Sequence, residues 1–352
     1  MALPPTLPTP ADVILSIRGL RVGFDTGRGR LPAVNGVDLE LRRGETLAIV
    51  GESGSGKSTL AMSLIGLNLG PRTHISGSAA LNGRELIGLP EGELRRTRGK
   101  DIAVIFQDAL AALNPLKKVG AQIVEMLREH QEIGRAEAWV RAEQLLADVG
   151  ISRPRVNARA YANQYSGGMR QRAMIAMAMA NNPAVLIADE PTTALDVTIQ
   201  AQVLDLLQRQ QREHGTSIIL ITHDLGVVAD VADRVAVMYA GRIVEQGSCS
   251  DVLNNPQHPY TIGLLNSTPR IDGELLDRLP AIPGSPLSGI ERPSGCSFAP
   301  RCYAAVQSCT EQTPELSQRD LHAHLSACLL NSSDVDASSP DVELSHTAGG
   351  IR

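Results

Sequence analysis

The feature that most restricts what this chain can become is Gly51-Glu52-Ser53-Gly54-Ser55-Gly56-Lys57-Ser58-Thr59, read with what lies on either side of it. Thr46-Leu47-Ala48-Ile49-Val50 comes before it, a short apolar run with β-branched residues that reads as a buried strand. Leu60 to Ile65 comes after it and reads as the apolar start of a helix. The nine residues fit the pattern Gly-x-x-x-x-Gly-Lys-Ser/Thr, in the strand–turn–helix setting that a phosphate-cradling loop needs. Glycines let the backbone curl until its N–H groups point at phosphate oxygens, and the helix N-terminus adds partial positive charge. In such a loop Lys57 reaches the β- and γ-phosphates and the Ser58 hydroxyl takes a place on Mg²⁺.

Other apolar runs point to the same kind of fold. Val13, Leu15, Ile17, Leu20, Val22 and Phe24 alternate as strand residues do, and Gly36 to Leu41 predicts a further strand. Ile102–Phe106, Val185–Ala188 and Ser217–Ile221 are continuous apolar strands. Helical spacing occupies 119–150, Ser166 to Met179 or Ala180, and Ile199–Arg212. Continuous apolar strands alternating with helices indicate an α/β fold with a parallel sheet covered on both faces. The basic cluster Arg95-Arg96-Thr97-Arg98-Gly99-Lys100 reads as solvated surface.

Composition closes off several classes. Aromatics at 3% leave few rings for bases to stack on, and a net charge of −5 argues against a nucleic-acid partner. No window of 18 residues is continuously apolar, so no membrane span is expected. The start of the chain lacks the basic and apolar regions of a signal peptide, and residues 1–12 read as a flexible tail. Residues 331–352, polar and Ser-rich, read as disordered. Between these tails the text changes near residue 250. Proline becomes frequent, and four of the five cysteines fall between 296 and 328, which marks 251–330 as a loop-rich unit following a 13–250 domain.

Val185-Leu186-Ile187-Ala188 runs directly into Asp189-Glu190. A buried strand in that position places Asp189 at its C-terminal tip, beside the phosphate loop, where it can hold the Mg²⁺ shell. Glu190 projects differently and could polarise an attacking water.

With these residues in order, the chain resembles the ATP-binding subunits of ABC transporters over roughly residues 13–330. Ser166-Gly167-Gly168-Met169-Arg170-Gln171-Arg172 is similar to the family's signature motif, with Met169 where glutamine is commonest. Phe106-Gln107-Asp108 resembles the Q-loop, Ala194-Leu195-Asp196 the D-loop and Thr222-His223-Asp224 the H-loop. The resemblance implies a RecA-like parallel core with an antiparallel β subdomain and a helical subdomain near 109–165. It also implies that Phe24 stacks on adenine, that Gln107 senses Mg²⁺ and water, and that His223 contacts the γ-phosphate. The resemblance further implies that Glu190 orients the nucleophile. One chain carries one phosphate loop and one signature, and in the family these serve opposite faces of one nucleotide. The resemblance thus implies that two subunits pair head-to-tail, sandwiching ATP between Gly51–Thr59 of one and Ser166, Gly167, Gly168 and Asp196 of the other. The segment Asp108–Val119 is expected to border a groove for a short cytoplasmic helix of a permease, of which the family has two. This places the chain on the cytoplasmic face of the membrane.

The tail narrows the resemblance. Gly295-Cys296-Ser297-Phe298-Ala299-Pro300-Arg301-Cys302, with His258-Pro259-Tyr260-Thr261 and Ile282-Pro283-Gly284, resembles the C-terminal extension of di- and oligopeptide importer ATPases. Members of that subgroup carry iron–sulfur clusters there, and importers of this kind use two non-identical ATPases and an extracytoplasmic solute-binding protein. Cys296, Cys302, Cys309 and Cys328 lack the close pairs usual for structural zinc, so a 4Fe–4S cluster is expected at these four thiolates, with zinc the alternative. Cys249 reads as a plain small side chain. His322 and His324 read as uninvolved in the cluster. Nickel, or another small solute, is the alternative cargo to peptides. A soluble ABC ATPase acting on DNA or ribosomes is disfavoured, because the chain has neither long coiled coils nor a second cassette.

Overall fold

The computed structural model describes residues 12–193, 195–268, 281–287, 289–290, 292–318 and 323–330. The tails expected at 1–12 (except Asp12) and 331–352, together with Ala194 and His322, lie outside the described residues. In chain order the first half holds β1 (Val13–Thr26), β2 (Gly29–Arg42), β3 (Thr46–Val50), α1 (Lys57–Leu64), β4 (Thr73–Leu81), β5 (Arg84–Glu85), α2 (Glu91–Thr97), β6 (Ile102–Ile105), α3 (Ala109–Ala112), α4 (Val119–His130), α5 (Arg135–Asp148) and α6 (Pro154–Asn157). The second half holds α7 (Gly167–Ala178), β7 (Val185–Asp189), α8 (Val197–His214), β8 (Ser217–Ile221), α9 (Leu225–Val231), β9 (Arg234–Tyr239), β10 (Arg242–Ser248), α10 (Cys249–Asn254), α11 (Pro259–Asn266), α12 (Gln307–Glu311), β11 (Ser317–Gln318) and β12 (Leu325–Ser326).

Strands β3, β7 and β8 are buried at every position, as runs without a polar face must be. They lie inside a sheet of order β11-β12-β10-β9-β3-β8-β7-β6, parallel from β9 to β6 and antiparallel beyond. Alternate side chains serve two cores. Leu47, Ile49, Ile187, Ile219 and Ile221 pack with α1 and with the separate antiparallel sheet β2-β1-β4-β5. Leu186, Ala188, Ile218 and Leu220 face α4, α5, α7 and α8. The sheet is thus covered on both faces, and burial of this size supplies most of the driving force for folding.

The alternating residues of β1 and β2 build their own antiparallel sheet, the β subdomain that the resemblance implied, with several register shifts along the pair. Two local readings change. Arg98 is not merely solvated surface: its guanidinium donates to the carbonyls of Ile65 (2.6 Å) and Gly66 (3.1 Å) and pairs with Glu91, which ties α2 to the end of α1. The region after 250 is loop-rich between short elements, yet its packing is continuous with the rest. Tyr260 and Phe298 share a core with Val50 and Val237, and β12 pairs with β10.

His324 also proves to have a structural place. Its Nε2 lies 2.7 Å from Glu245 Oε1, both side chains being buried, and the same carboxylate accepts the N–H groups of Gln257 and His258. One buried acid thus fastens β10, the start of α11 and β12.

Candidate active site

Register decides which side chains meet. Parallel pairing of Ile49 with Ile221, Asp189 with Ile221, and Ala188 with Ile105 brings the C-terminal ends of β3, β8, β7 and β6 to one edge of the sheet. The residues immediately after those ends are Gly51–Gly56, His223, Glu190 and Gln107. In open α/β sheets this edge is where ligands bind.

The loop between β3 and α1 is held open by its glycines. Gly51 has φ +150° and Gly56 φ +109°; a Cβ would run into the Met238 carbonyl at the first and the Ala33 carbonyl at the second. Backbone comes so near that no larger residue fits, and Ala33 shows how closely β2 abuts the loop. Lys57, 6% exposed, donates from Nζ to the carbonyls of Gly51 (2.7 Å) and Glu52 (2.9 Å). Burial pushes its pKa below the usual lysine value, against the opposing pull of Glu190, Asp189 and Glu52. Next to it, Ser58 Oγ donates to Asp189 Oδ1 at 3.1 Å. Burial raises the Asp189 pKa and the Glu190 charge adds to this, while Ser58 and Lys57 oppose it. An exposed hydroxyl paired with a buried carboxylate at a phosphate loop has the donor chemistry that suits a hard, oxygen-loving divalent cation.

Glu190 is the hub of the edge. It sits at φ +47°, a left-handed conformation uncommon for a non-glycine residue, with its N–H donating to the Ile221 carbonyl at 2.9 Å. Its Oε2 accepts from Gln107 Nε2 at 2.8 Å and from Thr193 Oγ1 at 2.9 Å; its Oε1 lies 3.3 Å from His223 Nδ1. Gln107, Glu190 and His223, which the resemblance singled out, therefore meet at this edge. Thr193 is an addition that sequence reasoning did not single out, although it lies three residues beyond Glu190.

Ser166 is an N-cap: its Oγ accepts the Met169 N–H at 3.3 Å, and the helix α7 that it starts runs twelve residues. A Cβ on Gly168 would press on Ile199 of α8, whereas nothing stands near Gly167, so the exposed start of α7 keeps bare N–H groups. Asp196 caps α8 through the Ile199 N–H (3.0 Å), and Val197 beside it is 83% exposed. Phe24 lies on β1 opposite Thr73, half-buried against the antiparallel sheet. Ser53 is exposed in the loop, Ser55 is buried and Thr59 lies in the first turn of α1.

No disulfide links the five cysteines, four of which lie in the extension. The Cys296 N–H donates to the Cys309 carbonyl at 2.8 Å. Burial pushes the Cys302 thiol up to about 11, and the charges that Cys328, Cys296 and Cys309 would carry add to it, so all three lie within electrostatic reach of Cys302. Among the described residues no three or more His, Cys, Asp or Glu are grouped to hold a metal ion. Cys249 stands apart, its Sγ 3.5 Å from the Val228 carbonyl and its pKa raised by burial.

A phosphate loop, two acids, a glutamine and a histidine on one sheet edge, with antiparallel and helical subdomains around it, define an ATP-binding cassette that hydrolyses ATP. The family model described as "ABC transporter" matches residues 34–193, and that described as "Oligopeptide/dipeptide transporter, C-terminal region" matches 244–309. The chain belongs to the ABC transporter ATP-binding proteins, in the oligopeptide and dipeptide group. It is 50% identical to the oligopeptide transport ATP-binding protein OppD of Salmonella typhimurium over 87% of this chain and 91% of that one. It is 49% identical to OppD of Bacillus subtilis over 86% and 85%. A solved structure titled as the dimeric post-hydrolysis state of the ATP-binding cassette MJ0796 bound to ADP and Pi matches with TM-score 0.61 and 27% identity, covering 67% of this chain and 98% of that one. Among the described residues no helix is long and apolar enough to cross a membrane.

Proposed function

We propose that this chain is the ATP-hydrolysing subunit powering uptake of di- and oligopeptides through a membrane transporter, working from the cytoplasmic face with two permeases and a second, non-identical ATPase. The observation that carries the reading is the convergence of Gln107, Asp189, Glu190 and His223 on the phosphate loop of a chain whose C-terminal region matches the peptide-transporter group.

Gly51–Thr59 binds the phosphates through backbone N–H groups, and Lys57 turns from its loop carbonyls to the β- and γ-oxygens. Ser58 and Asp189 would hold Mg²⁺, which would supply charge to offset the phosphates, and Gln107 stands beside them through its bond to Glu190. Glu190 orients the attacking water and accepts its proton while the water oxygen bonds to the γ-phosphorus and the bond to the ADP oxygen breaks. His223, beside Glu190, donates to a γ-phosphate oxygen. Phe24 stacks on the adenine. The opposite face of the triphosphate is met by Ser166–Gly168 of the companion ATPase, a helix start suited to an anion, with Asp196 and the exposed Val197 at the same junction. That the similar cassette MJ0796 is titled as a dimer bound to ADP and Pi supports the pairing of two ATPases.

Cys296, Cys302, Cys309 and Cys328 hold a 4Fe–4S cluster in this proposal. What supports this reading is that Cys296, Cys309 and Cys328 are all felt electrostatically at Cys302, and thiolates suit soft iron–sulfur chemistry. Such a cluster would supply a cross-link for a loop-rich segment. Reconstitution with permeases and the binding protein tests the whole: peptide-loaded binding protein should stimulate ATP hydrolysis. Stimulation by nickel alone would refute the peptide assignment.

A further inference from the structure

We propose that Arg301, supplied by the cysteine-bearing extension, is a positioning residue for ATP: it cancels the charge of Glu52 inside the phosphate cradle and fixes the loop's first turn. The inference rests on the reading that Gly51–Thr59 cradles the phosphates. Glu52 is the second residue of that loop, an awkward place for a carboxylate, since the ligand is a polyanion. Its charge is felt at Lys57, and its carbonyl accepts from Lys57 Nζ. The fold answers with a two-pronged ion pair. Arg301 Nη1 donates to Glu52 Oε2 at 2.6 Å and Nη2 to Oε1 at 3.0 Å. The arginine side chain is 5% exposed. Its Nε donates to the Pro283 carbonyl at 2.8 Å, and the guanidinium lies 5.8 Å from the Tyr239 ring centre and 6.0 Å from that of Phe298.

A second hold comes from the same region. The Glu52 backbone N–H donates to the hydroxyl of the fully buried Tyr260 at 2.8 Å. Tyr260 and Arg301 lie 208 and 249 residues beyond Glu52. Both the side chain and the backbone of this one loop residue are thus gripped by the extension. A surface pair of this kind would contribute little, but here the bidentate arginine is buried and cannot lose its partly exposed partner without being left unmatched. Arg301 sits between Cys296 and Cys302, so whatever orders that segment also orders the charge balance of the cradle.

The test compares the full-length wild type, R301Q, E52Q/R301Q and K57A by calorimetric MgATP binding and by melting without nucleotide. Removing the arginine exposes the bound phosphates to an uncompensated carboxylate, so R301Q should bind MgATP about tenfold more weakly. Removing the carboxylate as well should restore affinity to within about threefold of wild type, whatever happens to the melting temperature. A purely structural role would leave the paired variant as weak as R301Q, and that result overturns the proposal. So does R301Q binding as tightly as wild type while K57A binds poorly. If K57A also binds normally, the phosphate-loop reading falls, and this inference with it. Where R301Q does not fold, the paired variant decides alone: folded and tight supports charge cancellation, unfolded or weak refutes it.

Discussion

Replacing Glu190 with glutamine separates its chemical role from its structural one, because the amide can keep nearly every contact. If the amide oxygen takes the place of Oε2, it still accepts from Gln107 and Thr193, now at 2.8 and 2.9 Å. The amide nitrogen then faces His223 Nδ1, 3.3 Å from the present Oε1, and the imidazole accepts in the tautomer protonated at Nε2. The left-handed backbone at Glu190 is untouched, since its N–H bond to Ile221 remains. What is lost is a negative charge and a proton acceptor beside the γ-phosphate. General-base assistance is worth about 10² to 10⁴ in rate, or roughly 2.7 to 5.5 kcal/mol in the barrier. Affinity for MgATP should not weaken, because a carboxylate near the triphosphate only repels it. The assay is a single-turnover measurement of phosphate release, set beside equilibrium MgATP binding. Turnover within tenfold of wild type would remove Glu190 from water activation. A loss of binding as large as the loss of turnover would make it a ligand-holding residue instead.

Other consequences follow from burial and space. Asp189 has a folded-state pKa raised above its unfolded value, so its burial favours stability below the unfolded pKa and costs stability as pH rises through the folded one. Asp189→Asn should therefore raise the melting temperature of the nucleotide-free protein at pH 7, with little gain at pH 3, while Mg²⁺-dependent hydrolysis falls; a lower melting temperature at pH 7 would contradict the burial argument. Gly51→Ala pushes a methyl group against the Met238 carbonyl at φ +150°, and should cost at least about 2 kcal/mol in denaturant unfolding together with ATP binding. Cys302→Ser removes one of four thiols, so anaerobically purified variant should lose iron and sulfide relative to wild type; a colourless wild type containing zinc would refute the cluster itself.

The sheet was legible because its strands are continuous apolar runs, and a strand with no polar face has one place to go. Asp189 and Glu190 could be put at its tip for the same reason, and Gln107 and His223 directly follow two more such runs. What the residues did not disclose was partnership across long separations. Nothing near Glu52 announces that Arg301 and Tyr260 will reach it, and the proline-rich text of that region argues for independence rather than for a shared core. Arg98 was obscured by its neighbours: a run of basic residues looks uniformly solvated, and only the helix phase turns one of them inward to the Ile65 carbonyl. His324 and Glu245, 79 residues apart, are individually ordinary and become informative only as a buried pair.

The central claim is that one triphosphate is gripped by two chains, through Gly51–Thr59 of this one and a helix start like Ser166–Gly168 of its companion. A structure of the assembled transporter carrying Glu190→Gln, with MgATP bound, tests this most directly. The account predicts the γ-phosphate within hydrogen-bond distance of both elements, one from each subunit. A nucleotide contacted by a single subunit, with the opposing helix start remote, would contradict it.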